Sequence, residues 1–258
     1  MHFMQLIEMH WKIMQASSST IYVDKSEVSG RHLVVVQCRS NSTRLPGKAM
    51  MLLNGIPMLS FLLKRLKDGL PENRYKIMLA TTENIEDDTI ADLGRNEEVE
   101  VLRGDENDVL NRYLKCLDVF PADIVVRVTA DNPFTCPEVL ECAVNEMIKR
   151  KVDYLECENL PVGSGVDVFS SNLLKQLGVN ARRPQEREHI NMCVLKNRKE
   201  YSTFFLHFEG ERAHPSMRIT VDTLEDLENV RSLIKQDDVD PWRTPLFEII
   251  KRMDPSII

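Results

Sequence analysis

The stretch QCRSNSTRLPGK, residues 37–48, gathers Arg39, Arg44 and Lys48 among Asn, Ser, Thr, Pro and Gly, directly after the apolar run Leu33–Val36. Guanidinium forks, an ammonium and backbone amides that small residues leave accessible make a receptor for an anion, and a phosphate chain is its natural ligand. Neither GxxxxGK[ST] nor GxGxxG occurs, so the loop is not one of the common glycine-rich phosphate cradles. A solvated basic loop is the plainer alternative. Against it stands the setting, because the chain carries a formal net charge of −7 and yet clusters these cations behind one apolar run.

Two aspartates could serve the metal that a phosphate chain brings. Asp131 follows an apolar run in DIVVRVTADNPF; an Asp ahead of Asn-Pro is also an ordinary Asx-turn residue. Asp222, in RITVDTLEDL, falls where a strand at 217–221 should give way to a helix. There it is equally an N-cap, with Glu225 completing an approximate capping box. As a pair at the mouths of two strands they could hold Mg²⁺, a hard ion that takes few carboxylates and fills its shell with phosphate and water oxygens.

Other stretches offer weaker candidates. ATTENIEDD at 80–88 ends a strand and presents Thr81, Thr82 and backbone groups to a nucleobase, or simply caps a helix. RGDENDVLNRY at 103–113 offers Arg103 and Asp108, with Asp105 or Asn107 as helix caps. QEREHI at 185–190 places Glu188 and His189 together on a helix, where a lone His is as readily packed or solvated as catalytic.

The elements that must position these residues follow from hydrophobic periodicity. Short, β-branched apolar runs at 33–38, 76–81, 99–102 and 123–129 read as buried parallel strands. Helical spacing at 58–68, 86–95, 107–118 and 136–150 alternates with them. Strand alternating with helix implies an α/β fold, a mostly parallel sheet sandwiched by helices. In such sheets ligands bind beyond the carboxyl ends of the strands, which is where the basic loop and Asp131 fall.

The second half is less regular. It reads as a strand at 152–156, GSGVDVF at 163–169, helices near 171–178 and 185–197, strands at 203–208 and 217–221, and a helix at 223–235. These should add an antiparallel edge or flap to the first sheet. Residues 1–30 stand apart as an amphipathic piece, an SSST spacer and a polar DKSEVSG, read as an N-terminal extension. Residues 31–258 make the main domain.

Composition bounds the function. With 258 residues, 43% hydrophobic and 28% charged, the chain is an ordinary globular protein able to bury a full core. The acidic balance argues against a general nucleic-acid surface. No run approaches the roughly 18 consecutive apolar residues of a membrane span. Glu8 and Lys12 interrupt the N-terminal apolar stretch, which is unlike a signal peptide. The six cysteines form no metal-ligand spacing and are expected as reduced, mostly buried thiols of a cytoplasmic protein.

Gathered in order, STRLPGK with GIPML, ATT…DD, RGDENDVLNRY, VVRVTADNP, GVDVFS, EREH and TVDTLEDL resemble the cytidylyltransferases of the spore-coat polysaccharide biosynthesis type, relatives of CMP-sialic acid and CMP-ketodeoxyoctonate synthetases. The resemblance runs from about Leu33 to Leu233. It implies a nucleotide-diphospho-sugar-transferase-like fold and transfer of CMP from CTP to an acidic sugar of the nonulosonic or ulosonic type, with pyrophosphate released. It implies Arg44 and Lys48 on the triphosphate, with Gln37, Arg39 and Ser42 lining the same loop. Asp131 and Asp222 match the family's magnesium aspartates. Thr82, Arg103, Asp108 and Thr129 would surround the base, and Asp167, Glu188 and His189 would face the sugar.

By the same resemblance a homodimer through the region near 152–215 is expected. The alternatives are a nucleotidyltransferase using another NTP or acceptor, and a non-catalytic sugar-nucleotide or partner-binding module. One departure stands out. Asn41 occupies a position where the family commonly has Gly, and at positive φ it would strain the loop.

Overall fold

Strand β1 (His32–Gln37) explains the architecture around it. Leu33, Val34, Val35 and Val36 are all fully buried, the odd positions packing into one core and the even ones into another. A strand covered on both faces must be apolar at every position, and its backbone groups must pair with neighbours on both edges. Here they pair with β4 (Tyr75–Thr82) on one side and β6 (Ile124–Thr129) on the other, both parallel.

The structure is a computed structural model describing residues 31–257. The expected extension at 1–30 lies outside the described residues. Strands β5 (Glu100–Gly104), β7 (Tyr154–Glu158), β8 (Asp167–Ser170) and β9 (Thr203–His207) complete a seven-stranded sheet in the order β5-β4-β1-β6-β8-β7-β9. Strand β8 alone runs against its neighbours. A separate two-stranded ribbon pairs β2 (Leu52–Leu53) with β3 (Ile56–Pro57).

Helices cover both faces. On one face α1 (Met58–Gly69), α2 (Asp88–Asn96) and α4 (Pro137–Arg150) supply Leu62, Ile90 and Leu140. On the other α3 (Val109–Val119), α5 (Ser171–Asn180) and α7 (Ile190–Lys196) supply Leu110, Leu177 and Val194. This is the expected α/β class, and the four expected strands and four expected helices of the first half fall within about two residues of their expected bounds, while the short β2–β3 ribbon was not expected.

The second half differs. Strand β8 is not an edge but inserts between β6 and β7, and the outer position falls to β9, parallel to β7. The expected helix at 185–197 divides into α6 (Pro184–Glu188) and α7, because His189, at φ −109° and ψ 77°, leaves the helical region. The expected strand at 217–221 forms only an isolated bridge between Val162 and Arg218. Its neighbours are a loop and a turn rather than a strand edge: Ile219 N donates to Val162 O and Val221 N to Asp131 O.

This last segment belongs to a third core. Leu45, Phe61, Phe134, Ile219 and Val221 meet α8 (Leu224–Ser232) and α9 (Leu246–Met253) there. Arg65 clamps it, donating from Nε to Thr135 O at 2.8 Å and from Nη1 to Trp242 O and Thr244 O, both at 2.7 Å. A buried guanidinium that satisfies three carbonyls makes the C-terminal segment costly to detach. Among the described residues no helix is long and apolar enough to cross a membrane. All six cysteines are free thiols, four of them buried.

Candidate functional site

Gln37 ends β1, and the chain then has to turn through ten residues without a strand partner. Cys38 N still reaches Ala80 O, and Ser40 O accepts both Ser42 N and Gly47 N, which folds the loop onto itself. Gly47 has φ 69°, the left-handed conformation that starts the short 3₁₀ turn Lys48–Met50. A Cβ there would meet nothing within 4 Å, so the backbone angle and not space calls for glycine. Leu45 anchors the loop in the third core, which leaves Arg44 pointing outward and Lys48 inward. Asn41 is not among the positive-φ residues, so the expected strain is absent; its side chain is instead bonded to Glu106 Oε1 at 3.1 Å.

The inward Lys48 meets the two aspartates. Its Nζ donates to Asp131 Oδ2 at 3.1 Å, to Asp222 Oδ1 at 3.0 Å and to Val221 O at 2.7 Å. Arg44 reaches the same Asp222 oxygen at 2.9 Å, and Arg218 holds the other at 2.6 Å. Burial alone would raise the Asp222 pKa, but the Lys48 hydrogen bond and charge, with Arg218 and Arg44, bring it below the usual carboxylate range. Asp222 is therefore a carboxylate over the whole physiological range.

The Lys48 ammonium shows that one cation can be reached by both carboxylates and a carbonyl at once. That donor set fits a hard divalent ion that draws its remaining ligands from phosphate and water. Among the described residues no group of three or more His, Cys, Asp or Glu gathers for a metal, so the protein by itself offers this pair and no closed cage.

Asp222 owes its place to the elements around it. The helix cap expected of Asp222 and Glu225 is made instead one residue later, by Thr223 and Asp226: Thr223 Oγ1 accepts from Asp226 N, and Asp226 accepts from the Asp222 and Thr223 amides. This frees the Asp222 carboxylate from capping. Asp131 is fixed by the 2.8 Å bond from Val221 N to its carbonyl and by the turn that Asn132 closes on Thr129 Oγ1. Gly163, at φ 103°, packs against Thr220 and Asn132 so closely that a Cβ would lie 2.8 Å from Thr220 N.

The other sequence candidates divide into two groups. Gln37 and Asp167 join a polar layer across β1, β6, β8 and β7: Tyr113 OH and Arg127 Nε donate to Gln37 Oε1, Arg127 Nη1 donates to Asp167 Oδ2 at 2.7 Å, and Tyr154 OH donates to Asp167 Oδ1 at 2.9 Å. Glu156 lies directly across from Asp167, and burial together with that neighbouring charge raises its pKa. Arg39 bonds Glu188 Oε1 at 3.0 Å, tying the loop to α6, while Ser42 accepts from Leu45 N at 3.4 Å. His189 is exposed at the break between α6 and α7.

The expected base-facing side chains are already engaged with the protein. Thr82 hydroxyl donates to Asp87, Arg103 is clamped on Thr82 O, Asn84 O and Asp88, and Thr129 accepts from Asn132. Asp108, not Asp105 or Asn107, is the α3 cap, accepting from Asn111 N at 2.9 Å while Arg187 holds its second oxygen at 2.7 Å. Of these, Thr82 holds Asp87 and Arg103 holds the Asn84 carbonyl.

Several residues escaped the sequence. Asp87 is buried, accepts from Ser40 N at 2.7 Å and so orients the basic loop; burial would raise its pKa, and the bonds from Ser40 and Thr82 lower it. One acid among the EDD run gave no sign of being the buried one. Arg127 did give a sign, a charge inside the apolar strand IVVRVT. Glu106 lines a cleft of about 650 Å³ beside the loop, with Ser40, Asn41, Asn84, Glu86 and Asp87.

Comparison with known proteins adds to this geometry. A family model described as Cytidylyltransferase matches residues 33–243. The spore coat polysaccharide biosynthesis protein SpsF of Bacillus subtilis (strain 168) is 30% identical over 207 residues, which span 79% of this chain and 86% of that protein. A cytidylyltransferase from Leptospira borgpetersenii serovar Hardjo-bovis superposes with a TM-score of 0.77 at 29% identity, covering 88% of this chain and 95% of its own. A CMP:2-keto-3-deoxy-manno-octonic acid synthetase solved with CTP shares the fold, with a TM-score of 0.61 at 17% identity over 80% of this chain and 99% of its own.

Proposed function

The chain belongs to the cytidylyltransferase family, and from that premise we propose that it transfers CMP from CTP to a hydroxyl of an acidic sugar, in the synthesis of a surface polysaccharide. The observation that carries the reading is the convergence of Lys48 and Arg44 on Asp131 and Asp222. Two cations and two carboxylates at the mouth of a parallel sheet are what a metal-bound triphosphate needs.

In this reading the acceptor oxygen attacks the α-phosphorus in line, the bond to the β-phosphate oxygen breaks, pyrophosphate leaves and the hydroxyl proton passes to water. Arg44, 62% exposed at its side chain, swings from Asp222 onto the β- and γ-phosphates. Lys48 neutralises the charge that builds on the leaving group, the kind of preorganised contact that carries much of the catalysis in such transfers. Asp131 and Asp222 would hold Mg²⁺, which supplies Lewis-acid polarisation of the phosphate oxygens when bound. Gln37, Arg39 and Ser42 keep the loop in shape around the phosphates. Thr82, Arg103, Asp108 and Thr129 frame the base, and Asp167, Glu188 and His189 face the acceptor. No residue has to form a covalent intermediate.

We also propose a cytoplasmic homodimer through the region near 152–215, where β9 is the outermost strand of the sheet. The test of the main reading is pyrophosphate release from CTP with Mg²⁺ and a panel of sugar acids. The wild-type protein should release it, and Asp131→Ala, checked for folding by circular dichroism, should fall to background. A wild-type protein that binds no CTP by calorimetry would overturn the reading.

A further inference from the structure

Resting on the nucleotide reading above, we infer that Glu106 reads the base and sets the preference for cytosine over uracil. The 650 Å³ cleft adjoins the basic loop along Ser40, Asn41, Pro46 and Gly47, but its remaining wall is Asn84, Glu86, Asp87 and Glu106. No Lys or Arg lines it. An acidic wall repels phosphate, whose place is with Arg44 and Lys48, neither of which lines the cleft. What the cleft suits is the neutral end of the nucleotide, provided that end offers hydrogen-bond donors.

Two of the three carboxylates are poorly placed to be that acceptor. Asp87, which accepts from Ser40 N and the Thr82 hydroxyl, is 1% exposed and so leaves almost no surface for a ligand to reach. Glu86 is exposed in the 3₁₀ turn Ile85–Asp87. Glu106 is half-buried and held in place: Asn41 Nδ2 donates to Oε1 at 3.1 Å, Asn84 Nδ2 donates to Oε2 at 2.7 Å, and Arg39 stands 3.7 Å from Oε1. A carboxylate has about four acceptor positions, so capacity remains on both oxygens. Its backbone is fixed as well, because the buried Arg112 donates to Asp105 O and Glu106 O.

Cytosine and uracil differ at C4 and N3. Cytosine offers an amine at C4, which a carboxylate accepts; uracil offers a carbonyl there, and two acceptors face each other. The amides of Asn41 and Asn84, beside Glu106, retain hydrogens for the N3 or O2 acceptors of cytosine. The same reasoning accounts for Asn41, the residue that departs from the glycine common in the family: its amide helps to fix the reading carboxylate.

The test is calorimetric titration of the full chain with CTP and with UTP, each with Mg²⁺, in the wild type and in Glu106→Gln. A carboxylate–amine contact of this kind discriminates by roughly 5- to 150-fold. The wild type should prefer CTP within that range. In Glu106→Gln, whose amide can donate to the uracil carbonyl, CTP should weaken and UTP tighten until the two lie within about threefold of each other. Glu106→Asp, which keeps the carboxylate but withdraws it, should keep the sign of the preference and so separates base reading from a loss of fold. An unchanged CTP/UTP ratio in Glu106→Gln overturns the inference and leaves the transferase reading standing, as does a wild type that binds both nucleotides equally. A wild type that binds neither overturns the transferase reading itself.

Discussion

At the scale of single residues, the site is a set of charges balanced against one another before any ligand arrives. Lys48 lies between Asp131 and Asp222, and Arg44 and Arg218 share the second of these, so Asp222 is kept ionised and the cations are kept close. Asn41 shows how misleading a residue type can be without its backbone angle. The sequence raised the prospect of strain at a position where glycine is common; the chain avoids it by leaving the left-handed conformation to Gly47. Asn41→Gly should therefore relieve nothing. It should lower stability by about 0.5–1 kcal/mol through greater unfolded-chain freedom, in addition to losing the bond to Glu106. Thermal denaturation of the two proteins checks this, and a higher melting temperature in the variant would contradict the backbone angle.

At the scale of elements, the loop at 161–165 decides where Asp222 stands. Val162 exchanges backbone hydrogen bonds with Met217 and Ile219, and Gly163 lets Thr220 approach. Gly163→Ala would force a Cβ to within 2.8 Å of Thr220 N at φ 103°, where both the crowding and the angle are unfavourable. The expected cost is on the order of 1–3 kcal/mol in urea denaturation, with a fall in CTP affinity because Thr220 leads directly into Asp222. A variant that loses stability but binds CTP as tightly as wild type would show that Asp222 is positioned from α8 alone. The long elements of the first half were legible because each is an uninterrupted strand or an amphipathic helix; the two-residue strands β2 and β3 are too short to show a period and were not. The second half was not. A run such as MRITV has strand character at every position, yet whether it pairs depends on what lies beside it, and here that is a loop.

At the scale of the whole molecule, one buried base couples stability to pH. His32 opens β1, is 4% exposed and packs against Tyr75 with the rings tilted at 59°, and neither ring nitrogen is bonded among the described residues. Burial first, and then the charge of Arg74, lower its pKa from 6.5 to about 4, with Asp123 opposing. The unfolded chain thus takes up a proton that the folded one refuses. The stability linked to the neutral ring is full above pH 6.5 and is lost as the pH falls toward 4, up to about 3 kcal/mol. His32→Phe should remove that part of the acid sensitivity, measured as the difference between urea stabilities at pH 7.5 and pH 4.5 in the two proteins. Equal differences would refute it. The sequence by itself determined the fold class, the alternating strands and helices of the first half, the basic loop and the two aspartates, because periodicity and local residue chemistry are properties of short segments. Only the tertiary structure decided which aspartate caps and which is free, that Asp108 and Thr82 are spent on the protein, and that Asp87 and Glu106 face the loop. Those are outcomes of packing between segments far apart in the chain, and a side chain's free lone pairs are known only once every neighbour that could claim them is in place.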